Sequence, residues 1–221
     1  MRPRRVLVRE FAGRWRFERE AWAAGCRTVA GVDEAGRGPL AGPVVAAAVV
    51  VPPDFFLPGL DDSKQLTAAQ RDALYPRILA GSTAVAVGMA SVPLIDAVNI
   101  LRATFVAMRR AIARLPLRPD LVLVDGRPIP DLDVGQRAIT GGDGLSNAIA
   151  AASVVAKVTR DRLMYRLDPR YPAYGFARNK GYGTPEHLGA LARFGPCPLH
   201  RRSFGPVARA AGQPAGAAAG K

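Results

Sequence analysis

Residues 28–51 read TVAGVDEAGRGPLAGPVVAAAVVV. A short apolar run, Thr28 to Val32, ends in the acidic pair Asp33-Glu34. Ala35 to Pro43 then holds three glycines and two prolines, and a β-branched run follows from Val44 to Val51. That order predicts strand, tight loop, strand. It leaves a carboxylate where the first strand gives way to the loop.

Outward from this hairpin the pattern alternates. Pro52 to Lys64 reads as a loop, and Thr67 caps a helix running to about Ala80. Thr83 to Ala90 reads as a third strand. Leu94, Val98, Leu101, Phe105, Met108 and Ile112 recur at helical spacing, so one core-facing helix is expected from about Pro93 to Leu115. Leu121 to Val124 is a fourth strand and again ends in an acid, Asp125. A turn-rich stretch leads through Ala138-Ile139-Thr140 to the glycine loop Gly141–Gly144. A long helix rich in small residues is expected from Ser146 to Leu167, able to sit close against a sheet. After a Pro/Tyr/Gly loop, Asp168 to Gly183, Thr184 and Pro185 open a helix that Gly195-Pro196 stops near Phe194. Strands interleaved with helices define an α/β class.

The chain has 221 residues, room for one domain with a small appendage. Hydrophobic residues are 49%, which excludes a wholly disordered chain. The longest apolar stretch, Val44–Val51, is far short of the ~20 residues that span a bilayer. Met1 to Arg19 is basic and lacks an apolar segment of signal-peptide length. A cytoplasmic protein with no membrane partner is the expectation. Cys26 and Cys197 are too few for a disulfide framework or a four-ligand zinc site, and are read as inert thiols. The formal net charge is +13, carried mainly by arginine, since only Lys64, Lys157, Lys180 and Lys221 are lysines. Such a balance points to a polyanionic partner, or to a general surface bias toward arginine. In residues 1–24, arginines alternate with Phe11, Trp15, Phe17 and Trp22, and a helix docked on the body is favoured over base stacking.

Asp33 and Asp125 each terminate a strand. If those strands are neighbours, the two carboxylates meet and repel, and each resists ionisation. A divalent cation with hard oxygen ligands, Mg²⁺ or Mn²⁺, resolves the conflict. The plainer reading of either acid alone is a turn former. Glu34 joins the same site only if the strand ends there, because successive strand residues face opposite ways. Asp143, among glycines before the long helix, suits a ligand or a helix cap. Gly36-Arg37-Gly38 offers exposed backbone groups for a sugar hydroxyl and a guanidinium for phosphate. His187 is read as structural, and His200 as a phosphate contact or a turn cap.

The string VAGVDEAGRGPLAGPVVAAAVV resembles the type 2 ribonuclease H family, bacterial ribonuclease HII in particular. GLDDSKQL, IDAVNILRATFVAM, LVLVDG, SNAIAAASVVAKVTRDRLM, FARNKGYGTPEHLGAL and HRRSF continue the likeness in order, over about residues 27–205. The resemblance implies a ribonuclease H-like mixed sheet flanked by helices, with a small C-terminal helical extension. It divides the chain into a basic segment (1–24), a catalytic domain (25–167), an extension completing the substrate site (168–206) and a disordered Ala/Gly-rich tail (207–221).

The resemblance also implies roles. Asp33, Glu34, Asp125 and Asp143 would be the catalytic, metal-binding acids of a two-metal Mg²⁺ or Mn²⁺ site, with Asp161 the competitor for the fourth place. Gly36, Arg37 and Gly38 would read the ribose 2′-OH, and Tyr182 would pack on the following deoxyribose. Tyr182 read without the family is a loop tyrosine covering the core edge. Lys64 would lie on the phosphate side, and Lys180, Arg201 and Arg202 are expected to flank the acidic centre. Asn179 stands where a basic or imidazole side chain is expected. The implied activity is endonucleolytic cleavage of the RNA strand in RNA–DNA hybrids and 5′ of ribonucleotides in duplex DNA, leaving 5′-phosphate and 3′-hydroxyl ends. A monomer is implied, and the tail lacks aromatics after Phe204, so no clamp-binding motif is expected. The alternatives are a basic nucleic-acid-binding protein without catalysis and a metal-dependent nuclease acting on DNA.

Overall fold

β1 (Val29–Ala35) and β2 (Val44–Val50) pair antiparallel, with Asp33 opposite Ala47. A computed structural model describes residues 12–212 of the chain. β3 (Ala84–Ala90) adds antiparallel to β2. On the other side of β1, β4 (Leu121–Asp125) and β5 (Gly135–Ile139) add in parallel. The result is a five-stranded mixed sheet in the order β3-β2-β1-β4-β5. β2 is apolar and buried at every position, which fits an interior strand covered on both faces. Val44, Ala46, Ala48 and Val50 face one side layer, and Ala47 and Val49 face the other.

Helices fill both layers. α1 (Arg16–Ala23) precedes the sheet, and α2 (Ala68–Gly81) lies between β2 and β3, closed by a capping box of Thr67 and Gln70. The single helix expected over residues 93–115 is two. α3 (Val92–Val98) stops at Asn99, whose φ is +70°, and α4 (Ile100–Ala113) starts there. The Asn99 side chain accepts from the Leu101 and Arg102 N–H groups, so the break is also a cap. The apolar stripe shifts with it. Ala103, Ala107 and Ala111 lie fully buried against the sheet, while Leu94, Val98 and Phe105 pack at its margin. β5 was expected only as a turn-rich stretch. Its residues are largely exposed because it is an edge strand, which removes the apolar signal.

α5 (Asn147–Leu167) crosses β1 and β2 on the face opposite α4. A Cβ on Gly31 would overlap the backbone of Ala148, so glycine lets β1 and α5 touch. The expected 168–183 loop contains two turns of 3₁₀-helix and the short α6 (Phe176–Asn179). α7 (Pro185–Phe194) and α8 (Gly205–Ala210) follow. The expected disorder from residue 207 is corrected for 207–212. Val207 is fully buried beside Leu40 and Leu191, and burying it holds α8 in place. Residues 213–221 lie outside the described residues, as do residues 1–11 with Phe11 and the first arginines.

Trp15 is buried, 5.5 Å from Trp22 and 6.5 Å from Phe55 between ring centroids. Those aromatics dock α1 on the body. Among the described residues no helix is long and apolar enough to cross a membrane.

Candidate active site

β1 and β4 run parallel and side by side, with Val32 paired to Val124. The next residue on each is therefore an acid, Asp33 and Asp125. Both sit at the carboxyl ends of central strands, the usual ligand edge of an open α/β sheet. Asp143 arrives from the 3₁₀ turn Gly142–Gly144, just before α5. The Gly142 N–H donates to Asp125 Oδ1 at 2.7 Å, tying that turn to β4. One carboxylate oxygen from each of Asp33, Asp125 and Asp143 lies within 4.8 Å of the others.

Asp33 and Asp125, set this close in a buried site, resist ionisation. Burial pushes the Asp33 carboxyl well up, reinforced by Glu34 and Asp125. Burial also raises Asp125, and Asp143 adds to it. Glu34 is raised by burial and partly restored by Arg37, whose Nη1 lies 3.1 Å from Glu34 Oε1. Glu34 is outside the trio that converges within 4.8 Å. This pattern fits hard divalent cations, whose charge would relieve repulsion that the protein alone leaves standing. Asp161 does not join. It pairs with Lys157 at 2.8 Å on α5 and faces a groove with Arg71, Tyr165 and Lys180.

Lys64 reaches the acids. Its Nζ lies 3.2 Å from Asp143 Oδ2 and 3.8 Å from Asp62 Oδ1. Partial burial pulls the ammonium down, but the Asp143 and Asp62 carboxylates outweigh it and hold it above its usual range.

Gly36 has φ +94° and Arg160 fills the space beneath it, so a side chain there would be strained and would collide with that guanidinium. Arg37 and Gly38 are exposed. Tyr182 approaches Gly38 from the C-terminal side: a Cβ on Gly38 would lie 3.9 Å from its ring. Tyr182 is 42% exposed, with Lys157 Nζ 5.6 Å from its ring centroid.

Of the basic residues and histidines expected near the surface of the site, Arg201 and His200 lie beneath it, whereas Lys180 is half-buried and Arg202 exposed. Arg201 is fully buried and donates to the carbonyls of Gly36, Arg37 and Gly42, so the expected flanking position is corrected. His200 is buried too, its Nε2 2.9 Å from His187 Nε2, which removes it from phosphate. Lys180 donates to the Ala177 carbonyl, and the Arg202 N–H to Asp96 Oδ2. Asn179 shapes the turn before Tyr182, donating to the Tyr174 carbonyl and accepting from the Gly181 N–H. Arg160 and Glu18 are not singled out by the sequence: Arg160 is one of four charges in VVAKVTRDRLM, and Glu18 lies in the charged run RFERE, so neither is marked as buried.

A mixed sheet with three carboxylates converging at its two central strands defines a class, the ribonuclease H-like nucleases that cleave phosphodiesters at carboxylate-held metal. The family model described as Ribonuclease HII matches residues 30–207. The chain belongs to the ribonuclease HII family and is a ribonuclease H nuclease. It is similar to the ribonuclease HII of Geobacillus thermodenitrificans (strain NG80-2), 57% identical over 197 residues, covering 89% of this chain and 76% of that protein. The crystal structure of ribonuclease H2 from Pyrococcus horikoshii OT3 is similar with a TM-score of 0.69 and 28% identity, over 84% of this chain and 97% of that one. Bst-RNase HIII, solved in complex with Mn²⁺, shares the fold: TM-score 0.70, 20% identity, 86% of this chain and 71% of that one.

Proposed function

We propose that this protein cuts the RNA strand of RNA–DNA hybrids and nicks duplex DNA on the 5′ side of embedded ribonucleotides, leaving 5′-phosphate and 3′-hydroxyl ends. The observation that carries this reading is the convergence of Asp33, Asp125 and Asp143 directly before a backbone loop, Gly36–Gly38, that faces Tyr182.

Asp33, Asp125 and Asp143 would hold Mg²⁺ or Mn²⁺, with Glu34 completing the set. The cations would activate the attacking water and stabilise the leaving 3′ oxygen. The chain's own residues then do the positioning. The Gly36–Gly38 backbone would read the 2′-OH, the group that separates RNA from DNA. Arg37 would meet a phosphate, and Tyr182 would lie flat against the following sugar. Lys64 would exchange Asp143 for substrate phosphate. Residues 25–167 would form the catalytic unit, and 168–206 would complete the substrate side. The free thiols of Cys26 and Cys197 fit a reducing, cytoplasmic setting, where the protein would act as a monomer.

A basic binding protein without catalysis is disfavoured, because three bare carboxylates would repel phosphate. A DNA nuclease is disfavoured by the exposed glycine loop beside Asp33. A duplex carrying one ribonucleotide, supplied with Mg²⁺ or Mn²⁺, should be nicked 5′ of it, and Asp33→Asn should remove the activity. Efficient cutting of the all-DNA duplex would sink the 2′-OH reading. Binding without cleavage under both metals would favour the non-catalytic alternative.

A further inference from the structure

Two arginines lie fully buried beneath the Gly36–Gly38 loop, and among the described residues no carboxylate is within ion-pair distance of either. A buried, unpaired charge is costly, and an apolar side chain of similar volume would pack at less cost. Their partners are backbone carbonyls. Arg201 donates from Nη2 to Gly36 O at 2.5 Å, from Nη1 to Arg37 O at 2.8 Å and from Nε to Gly42 O at 2.9 Å. Arg160 donates from Nε to Pro43 O and from Nη2 to Ala41 O, both at 3.1 Å. Arg160 Nη1 is buried with no hydrogen-bond partner among the described residues. Its Cζ lies 5.9 Å from the Tyr182 ring centroid, so this charge sits between loop and tyrosine.

In a trans peptide the C=O of one residue and the N–H of the next point in opposite directions. The Gly36 and Arg37 carbonyls both turn inward to one guanidinium. The N–H groups of Arg37 and Gly38 therefore turn outward. Both residues are exposed, and neither N–H has a hydrogen-bond partner among the described residues. Two successive outward N–H groups form a donor pair for one oxygen acceptor, with positive charge behind them.

We infer that Arg160 and Arg201 are positioning residues for ribonucleotide recognition: they lock the carbonyls of residues 36–43 inward so that the Arg37 and Gly38 amides present a fixed donor pair to the ribose 2′ oxygen. This inference rests on the ribonucleotide reading proposed above. Lysine cannot replace either side chain, because one ammonium on a flexible stem cannot hold carbonyls in the planar fork geometry of guanidinium.

The test compares wild type, Arg201→Lys and Arg160→Lys in binding two duplexes, one with a single ribonucleotide and the same sequence all DNA. Ca²⁺ replaces Mg²⁺ to hold back cleavage, and each melting temperature is recorded. Wild type should prefer the ribonucleotide duplex. The variants should lose that preference by about tenfold or more while binding all-DNA duplex as wild type does. Folded variants that keep the preference, or weaken equally on both duplexes, overturn the inference. A wild type with no preference overturns the ribonucleotide reading itself. Amide hydrogen exchange on wild type tests the donor pair itself even if the variants unfold. The Arg37 and Gly38 amides should be protected by the ribonucleotide duplex and not by the all-DNA one. Protection by neither, or equally by both, overturns the inference.

Discussion

The Lys64 ammonium lies 3.2 Å from Asp143 Oδ2, so an internal cation sits on one of the three converging carboxylates. Lys64 and a bound metal compete for that oxygen. Lys64→Ala should therefore lower the Mg²⁺ concentration needed for half-maximal cleavage. It should also raise KM for the duplex, because a phosphate contact is lost. Titrating activity against metal at saturating substrate, and against substrate at saturating metal, separates the two effects. A variant needing more metal than wild type would show that Lys64 supports the metal site.

Asp33 shows what that site costs the fold. Its carboxyl is raised by burial, then by Glu34 and Asp125. An acid raised in the folded state binds protons more tightly there than in the unfolded chain. Metal-free stability therefore falls as pH climbs from the ordinary 3.8 through the raised folded value. Asp33→Asn removes that penalty. It should abolish cleavage yet stabilise the metal-free protein at neutral pH by about 1–2 kcal/mol, or roughly 2–8 °C in melting temperature. Calorimetry without metal checks this, and the gain should vanish near pH 4.

Much of this was legible in the sequence because acids closing apolar strands are local signals. Asp33 and Asp125 stand where VAGV and LVLV stop, and parallel pairing of β1 and β4 then makes them neighbours. Gly36–Gly38 and the Thr67 and Thr184 caps were also local. The rest depends on contacts distant in the chain. Asn99 breaks its helix by adopting a left-handed φ that composition does not announce. Arg201 reads as a surface charge in HRRSF until residues 199–201 pair with 40–42 and carry it under the loop. Asp161 was separated from Asp143 only by its place on α5 and its Lys157 partner.

Glu18 links the N-terminal helix to the acid-bearing turn. It is fully buried, and accepts from Ser146 Oγ at 2.6 Å and the Ala148 N–H at 2.9 Å, both at the start of α5. Arg14 adds a bond from Nη1 to Leu60 O and an ion pair with Asp61 at 2.7 Å, next to the Lys64 loop. Glu18→Ala leaves these buried donors unmatched, a loss of about 1–3 kcal/mol, or roughly 2–12 °C in melting temperature. Cleavage should fall with it, since Asp143 lies in the adjoining turn. A truncation past Glu18 should lose both properties. Melting and activity of Glu18→Ala and of that truncation make the comparison.

The His187–His200 pair sets an acid limit on the Tyr182 loop. His187 Nδ1 lies 2.8 Å from the Tyr182 carbonyl, so Nδ1 carries the proton and Nε2 is bare. His200 Nε2, 2.9 Å away, must then donate to it, leaving His200 Nδ1 to accept from the Cys197 N–H at 3.0 Å. That chain of bonds requires both rings neutral. Burial lowers the His200 imidazole to about 4, helped by its neighbour His187, and burial lowers His187 as well. The unfolded chain therefore takes up protons from about pH 6.5 downward while the folded one does not. Stability is fully present above 6.5 and falls as pH drops toward 4, by up to about 1.4 kcal/mol per pH unit for each histidine. Replacing His200 with Gln, which can still donate one bond to His187 Nε2, should flatten this slope. Denaturant unfolding at pH 4.5, 5.5, 6.5 and 7.5 measures it. An unchanged slope in the variant would place the acid sensitivity elsewhere.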